Sequence, residues 1–265
     1  MKRCKIGIKV SLLLVFATIS FLSSHSQALA ITIDGQLNDW GVNPAAFGST
    51  DWVPYAGISY VVEDTDPAID FVDPGWGGQA YDAEALYFKK EGLLANFALV
   101  TGFPLQGVNY DTFGDFAFDF DSNGSYEFGL ETLGNNGFER KYLYGDATFS
   151  PPADHTESGP FDLLTGDKIG KVKLVYNMIS YVANDHYVME FSVPISFFGS
   201  FWDDPNGTPE FTLHWTMRCG NDAINLYVPG TGTPTVPEPG TLALLGLGLA
   251  GLRLSRLKKK LSKRN

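Results

Sequence analysis

Asp119, Asp121 and Asn123 stand two residues apart and run into Gly124. Hard oxygens at that spacing, pointed inward by a tight turn, suit calcium, which takes about six to eight of them. The pattern stops short of a full helix–loop–helix calcium loop. The position where that loop has its bidentate glutamate is Leu130 here. Further oxygens must come from Glu127, Asp115 or a distant loop, so the expected Ca2+ set is Asp115, Asp119, Asp121, Asn123 and Glu127. The same residue types also suit a bare hairpin turn, because Asp, Asn and Gly tolerate its dihedrals.

Other residues invite chemistry less directly. Asp82 and Glu84 are two apart in a predicted strand and so share a face, as an acid and nucleophile of a glycosidase would. In a chain with 30 Asp and Glu, close pairs also arise by chance. Trp40, Trp52 and Trp76 fall in or beside predicted loops, where flat rings can stack on sugars or pack over the ends of a sheet. Trp76, between glycines, is the best placed for a sugar. Trp215 lies on an apolar face and belongs to a core. His155, His186 and His214 form no metal-ligand spacing. Cys219 alternates with Trp215 and Met217, which makes it a buried thiol rather than a nucleophile.

The elements that must position these groups are strands. Phe116, Phe118 and Phe120 alternate with Asp115, Ala117 and Asp119. After the turn, Tyr126, Phe128 and Leu130 alternate with Glu127, Gly129 and Glu131. This predicts a β-hairpin with one apolar face and carboxylates from both strands on the other. Like charges facing across a hairpin are unfavourable unless a cation or solvent intervenes. Further strands are expected at 31–33, 52–62, about 83–88, 93–101, 168–176, 186–195, 211–219 and 224–228, with a helical turn at 196–201 and a long loop at 63–78. About ten strands with no long helical periodicity predict an all-β antiparallel sandwich of jelly-roll or immunoglobulin-like type.

Both ends of the chain carry different signals. Lys2, Arg3, Lys5 and Lys9 precede an apolar run at 10–22 and an Ala28-Leu29-Ala30 site, the pattern of a secretory signal peptide over 1–30. The sandwich then spans 31–228, a Pro/Gly/Thr linker 229–240, and an apolar helix with a basic end 241–265. Removing both ends leaves 8 basic residues against all 30 acidic ones, a net charge of −22. That field excludes nucleic acid as a partner and favours cations, or polysaccharide held by neutral groups. Equally, it keeps a secreted protein soluble. With one cysteine left, no intrachain disulfide forms in the mature domain.

The tail reads Val236-Pro237-Glu238-Pro239, an apolar run, then Arg253, Arg256, Lys258, Lys259, Lys260, Lys263 and Arg264. Twelve residues of helix reach roughly 18 Å, short of a hydrocarbon core of about 30 Å. Residues 242–257 are expected to hold the membrane only marginally, with the arginines snorkelling. Gly246, Gly248 and Gly251 match a dinucleotide fingerprint in form alone, since no strand precedes them. The whole tail is similar to the PEP-CTERM sorting tail of bacterial surface proteins. That resemblance implies recognition of Pro237, Glu238 and Pro239 by an exosortase, removal of the helix, and a final place at the cell surface or outside it. The opening Ile33-Asp34-Gly35 with Asp39-Trp40, and the later Asp82-Ala83-Glu84 segment, resemble DOMON and family-9-like carbohydrate-binding sandwiches.

The expected protein is therefore a non-enzymatic, exosortase-processed surface or matrix protein. Its sandwich would bind extracellular polysaccharide with calcium support. A purely structural matrix or adhesion module and, less favoured, a secreted carbohydrate-active enzyme are the alternatives.

Overall fold

The computed structural model describes residues 30–42, 52–63, 78–180 and 185–231. Eleven strands appear among them: β1 (Ser59–Val62), β2 (Ala83–Glu91), β3 (Leu94–Thr101), β4 (Phe116–Asp119), β5 (Phe128–Leu130), β6 (Tyr142–Ser150), β7 (Asp162–Lys171), β8 (Lys173–Ser180), β9 (Asp185–Pro194), β10 (Phe211–Thr216) and β11 (Ala223–Val228). Every pairing is antiparallel. They form a five-stranded sheet ordered β1-β2-β3-β9-β8 and a six-stranded sheet ordered β11-β10-β4-β5-β6-β7.

Alternation explains why the two sheets face each other. Phe88, Phe97 and Phe191 project from the first sheet, and Phe116, Phe118 and Phe211 from the second. Phe116 meets Phe191 at 4.6 Å between ring centroids, and Phe97 meets Phe118 edge-on at 5.5 Å. Such tilted and edge-on pairs add to the area they bury. A 3-10 segment, Ile195–Trp202, closes one end by placing Phe198 and Trp202 against Phe120. The helical turn expected there is thus present, β4, β5 and β11 lie within or close to the expected ranges, and β10 ends at Thr216, short of the expected Cys219.

A second apolar cluster sits on the outer side of the five-stranded sheet. Leu37, Trp40, Val42, Trp52 and Ile58 pack on Tyr87, Ala98, Val100 and Val188. The chain that carries them is irregular, not stranded as expected at 31–33, and only Ser59–Val62 of the expected 52–62 strand pairs. Glu190 anchors this cover. Its carboxylate accepts the backbone N–H of Asp34 (2.8 Å) and of Gly35, and the Trp40 indole N–H at 2.6 Å. Burial pushes the Glu190 carboxyl up to about 7 in spite of those donors.

β6 had no clear signal in the sequence. Its pairing with β7 shifts register between Leu143 and Tyr144 and again around Thr148, and Asp146 adopts φ 48°. These bulges bend the β6–β7 pair. The start of β7 then lies over the outer face of the β4–β5 hairpin, where Leu163 is fully buried. Gly129 makes that possible, because a Cβ there would run into the Leu163 and Phe149 side chains.

Candidate functional site

The β4–β5 hairpin pairs Phe116 with Leu130, Ala117 with Gly129 and Phe118 with Phe128. The phenylalanines and Leu130 enter the core, which leaves Asp115, Asp119, Glu127 and Glu131 on the outer side as alternation requires. Tyr126 departs from its expected place on the apolar face. Its ring lies instead against Phe149 and His214, at 6.0 and 5.9 Å between centroids. The ladder ends at Phe128, so nothing holds Tyr126 to the alternation.

The outer carboxylates divide into two groups. At the turn end, Asp119, Asp121 and Glu127 each offer an oxygen within 4.8 Å of the other two. Asp119 Oδ2 accepts Gly124 N–H at 3.0 Å, while its Oδ1 is buried with no hydrogen-bond partner. Glu127 Oε2 accepts Phe120 N–H at 2.7 Å. Burial raises the Glu127 carboxyl, that N–H lowers it, and the charges of Asp121 and Asp119 raise it again. Asn123 turns its amide to Asp121 (2.7 Å) and its Oδ1 to Ser125 N–H (2.7 Å), so it shapes the turn. Leu130 is fully buried in the core and offers no oxygen, in keeping with the broken calcium-loop pattern.

Asp115 does not join this group, which corrects the expected five-residue set. It sits at the open end of the hairpin with Glu131 and with Asp162 from β7, again within 4.8 Å of one another and all buried. Along β4 the two groups are four residues, or about 13 Å, apart. Sequence reading missed Asp162 because nothing local links it to the hairpin. The bent β6–β7 pair brings it there.

Two of the three tryptophans expected to meet sugars are corrected. Trp40 is 0 % and Trp52 3 % exposed, both in the cluster outside the five-stranded sheet. Trp40 spends its indole N–H on Glu190, and Trp52 packs on the His186 ring at 5.3 Å. The flat cover they form buries apolar area, a larger gain than an exposed ring brings. Trp76 lies outside the described residues. Glu84 faces His186 Nε2 at 2.7 Å and accepts Gln79 Nε2 at 2.8 Å, all in buried or half-buried surroundings.

Two further groups singled out in the sequence, His214 and Cys219, are buried. His214 Nδ1 meets Asn225 Oδ1 at 2.8 Å, and burial pushes its pKa down to about 4. Met217 is in the main core, away from His214. Burial pushes the Cys219 thiol up to about 11, which keeps it protonated and inert at neutral pH.

Residues 235–259 match the PEP-CTERM protein-sorting motif. Pro237, Glu238 and Pro239 fall inside that match, as does the whole of the expected membrane segment 242–257. The motif marks the chain as an exosortase-targeted surface protein. No curated protein and no solved structure matches the chain. The likeness of the sandwich to DOMON and family-9-like modules finds no family match. The expected signal peptide and tail helix lie outside the described residues, within which no helix is long and apolar enough to cross a membrane.

Proposed function

We propose that this chain is an exosortase-processed surface or matrix protein whose β-sandwich is a non-catalytic structural module. The observation that supports processing and a surface destination is the sorting motif at 235–259, shortly after the last described strand. Secretion delivers the sandwich, the short apolar C-terminal segment holds it while exosortase acts at Pro237-Glu238-Pro239, and the module then remains at the cell surface or leaves it. Calcium at Asp119, Asp121 and Glu127 stiffens the turn. The motif supports the processing step, and the unpartnered Asp119 oxygen supports the cation.

Replacing Glu238 by Ala in a bacterium that carries an exosortase tests the reading. The wild-type chain loses its C-terminal segment, and the variant stays full length in the membrane fraction. Equal processing of both chains overturns it.

A binding role for extracellular polysaccharide is the second reading. Tyr110 favours it, because its ring is 90 % exposed at a turn between Asn109 and Asp111. A bare ring suits sugar stacking, while the flanking Asn109 and Asp111 side chains meet Tyr81 and hold the turn. Trp76→Ala and Tyr110→Ala on a glycan array decide between the readings. Loss of a wild-type signal supports the binder, and absence of any signal supports the structural module.

A further inference from the structure

Asp115, Glu131 and Asp162 are 1 %, 0 % and 8 % exposed, and their carboxylates lie within 4.8 Å of one another. Three elements supply them: the residue before β4, the residue after β5, and the first residue of β7. None of the ion pairs among the described residues involves them. Arg140, in the neighbouring loop, gives its Nε–H to the Thr132 carbonyl at 2.8 Å instead. Up to three negative charges are thus held together out of water without a countercharge, which costs several kcal/mol per ion in general terms.

The hydrogen bonds around the group hold the carboxylates in place without filling it. Asp115 accepts Thr132 N–H (2.8 Å), Thr132 Oγ1–H (3.1 Å) and Leu163 N–H (3.1 Å). Glu131 Oε1 accepts Leu133 N–H at 3.1 Å, Gly134 N–H at 2.7 Å and Asn135 N–H at 3.4 Å. Asp162 Oδ2 accepts Asn136 Nδ2 at 2.6 Å. Glu131 Oε2, however, is buried with no hydrogen-bond donor, and so is the side-chain oxygen of Asn135 in the same loop. An acceptor buried without a donor needs a donor or a cation. One lies in the trio itself and the other in the loop whose backbone N–H meets Glu131, and together they point to the cation.

We propose that Asp115, Glu131 and Asp162, with the side-chain oxygen of Asn135, form a buried calcium site that ties β7 and the 131–140 loop to the β4–β5 hairpin. The donors are all hard oxygens, and three carboxylates suit a divalent ion. Each carboxylate oxygen that accepts one N–H keeps a second lone pair for the metal. An irregular loop that supplies flexible oxygens suits calcium better than magnesium, which demands a near-octahedral shell and keeps its waters. In the metal-free chain, burial and the nearby Glu131 charge push the Asp115 carboxyl well above its usual range. Burial and the Asp162 charge raise Glu131 as well, against its three loop N–H donors. The site stands apart from the turn end of the hairpin and does not depend on it.

The test is calorimetric titration of calcium chloride into the full chain, stripped with EDTA and held in detergent at neutral pH. Wild type and Asp121→Ala, which alters only the turn end, both take up calcium at this site. Glu131→Gln and Asp162→Asn lose that uptake while circular dichroism shows the β-sheet signal retained. Asn135→Ala, which removes an amide without a partner on its oxygen, keeps the fold and weakens binding roughly tenfold. That variant decides the question if the carboxylate variants do not fold. Absence of calcium uptake by Asp121→Ala overturns the proposal, as does unchanged affinity in Asn135→Ala or in any folded carboxylate variant.

Discussion

The two ends of the β4–β5 hairpin carry the same chemistry in different surroundings. Each gathers three carboxylates within 4.8 Å, and each contains a buried carboxylate oxygen that no donor meets. At the turn end, Asp121 is exposed and water shares the load. At the open end, the bent β6–β7 pair lies over the group and shuts water out. Between them Ala117 faces Gly129, and Leu163 seats on the space the glycine leaves. Burial, not the number of acids, separates the exposed turn from the buried joint at which calcium is proposed. Exposed charges repel weakly through water, while the same charges at lower dielectric interact several-fold more strongly.

The largest effect that sharpens this contrast is expected from Asp115→Ala. It strips the acceptor from two backbone N–H groups, while the Thr132 hydroxyl keeps the Gly114 carbonyl, and is predicted to lower the unfolding free energy by about 3 kcal/mol in urea titrations. A change below ~1 kcal/mol would mean that water reaches the open end. Gly129→Ala comes next. Its methyl meets Leu163 and Phe149, so a loss of about 1–3 kcal/mol is expected, with weaker calcium binding at the open end only.

Acid titration separates the ends further. Asp115 and Glu131 have raised carboxyl pKa values in the folded chain, so the folded state holds protons that the unfolded state releases. Metal-free protein therefore loses stability as pH rises from the ordinary carboxylate range through the folded values. Glu190, raised to about 7, adds to the same slope from the other sheet between its ordinary 4.5 and about 7. Calcium is expected to remove the hairpin part of the slope and leave the parts of Glu190, of Asp222, which burial pushes up to about 10, and of His214, whose lowered value acts with the opposite sign below about 6.5; thermal midpoints across pH 5–8 with and without calcium would show the difference. A slope unchanged by calcium would break the assignment. The smallest effect falls on Asp121→Ala, exposed at the turn. Without metal it is expected to shift stability by less than about 0.5 kcal/mol.

Much of this hairpin was legible in the sequence. Strict alternation over Asp115–Phe120 and Phe128–Glu131 gave the pairing and the acidic face, because one apolar face fixes register. Asp119, Asp121 and Glu127 came together as expected since they share one turn. Asp115 went elsewhere because four residues of extended strand carry it about 13 Å along the hairpin. Asp162 and β6 stayed hidden, since bulges at Gly145–Thr148 break the alternation that reveals a strand. Trp40 and Trp52 were misplaced for a related reason. The irregular segment around them carries no periodicity, yet it covers an outer sheet face whose apolar residues Tyr87, Ala98 and Val100 lie far away in sequence.

The most direct measurement is the thermal midpoint of the full chain with EDTA and with millimolar calcium. A ligand at 100 times its dissociation constant that binds only the folded state adds about 2.7 kcal/mol, or several degrees for a domain of this size. The account predicts a rise that largely survives Asp121→Ala and shrinks in Glu131→Gln to the smaller part that the turn end contributes. No rise in the wild-type chain, or a rise that Glu131→Gln keeps and Asp121→Ala loses, would contradict it.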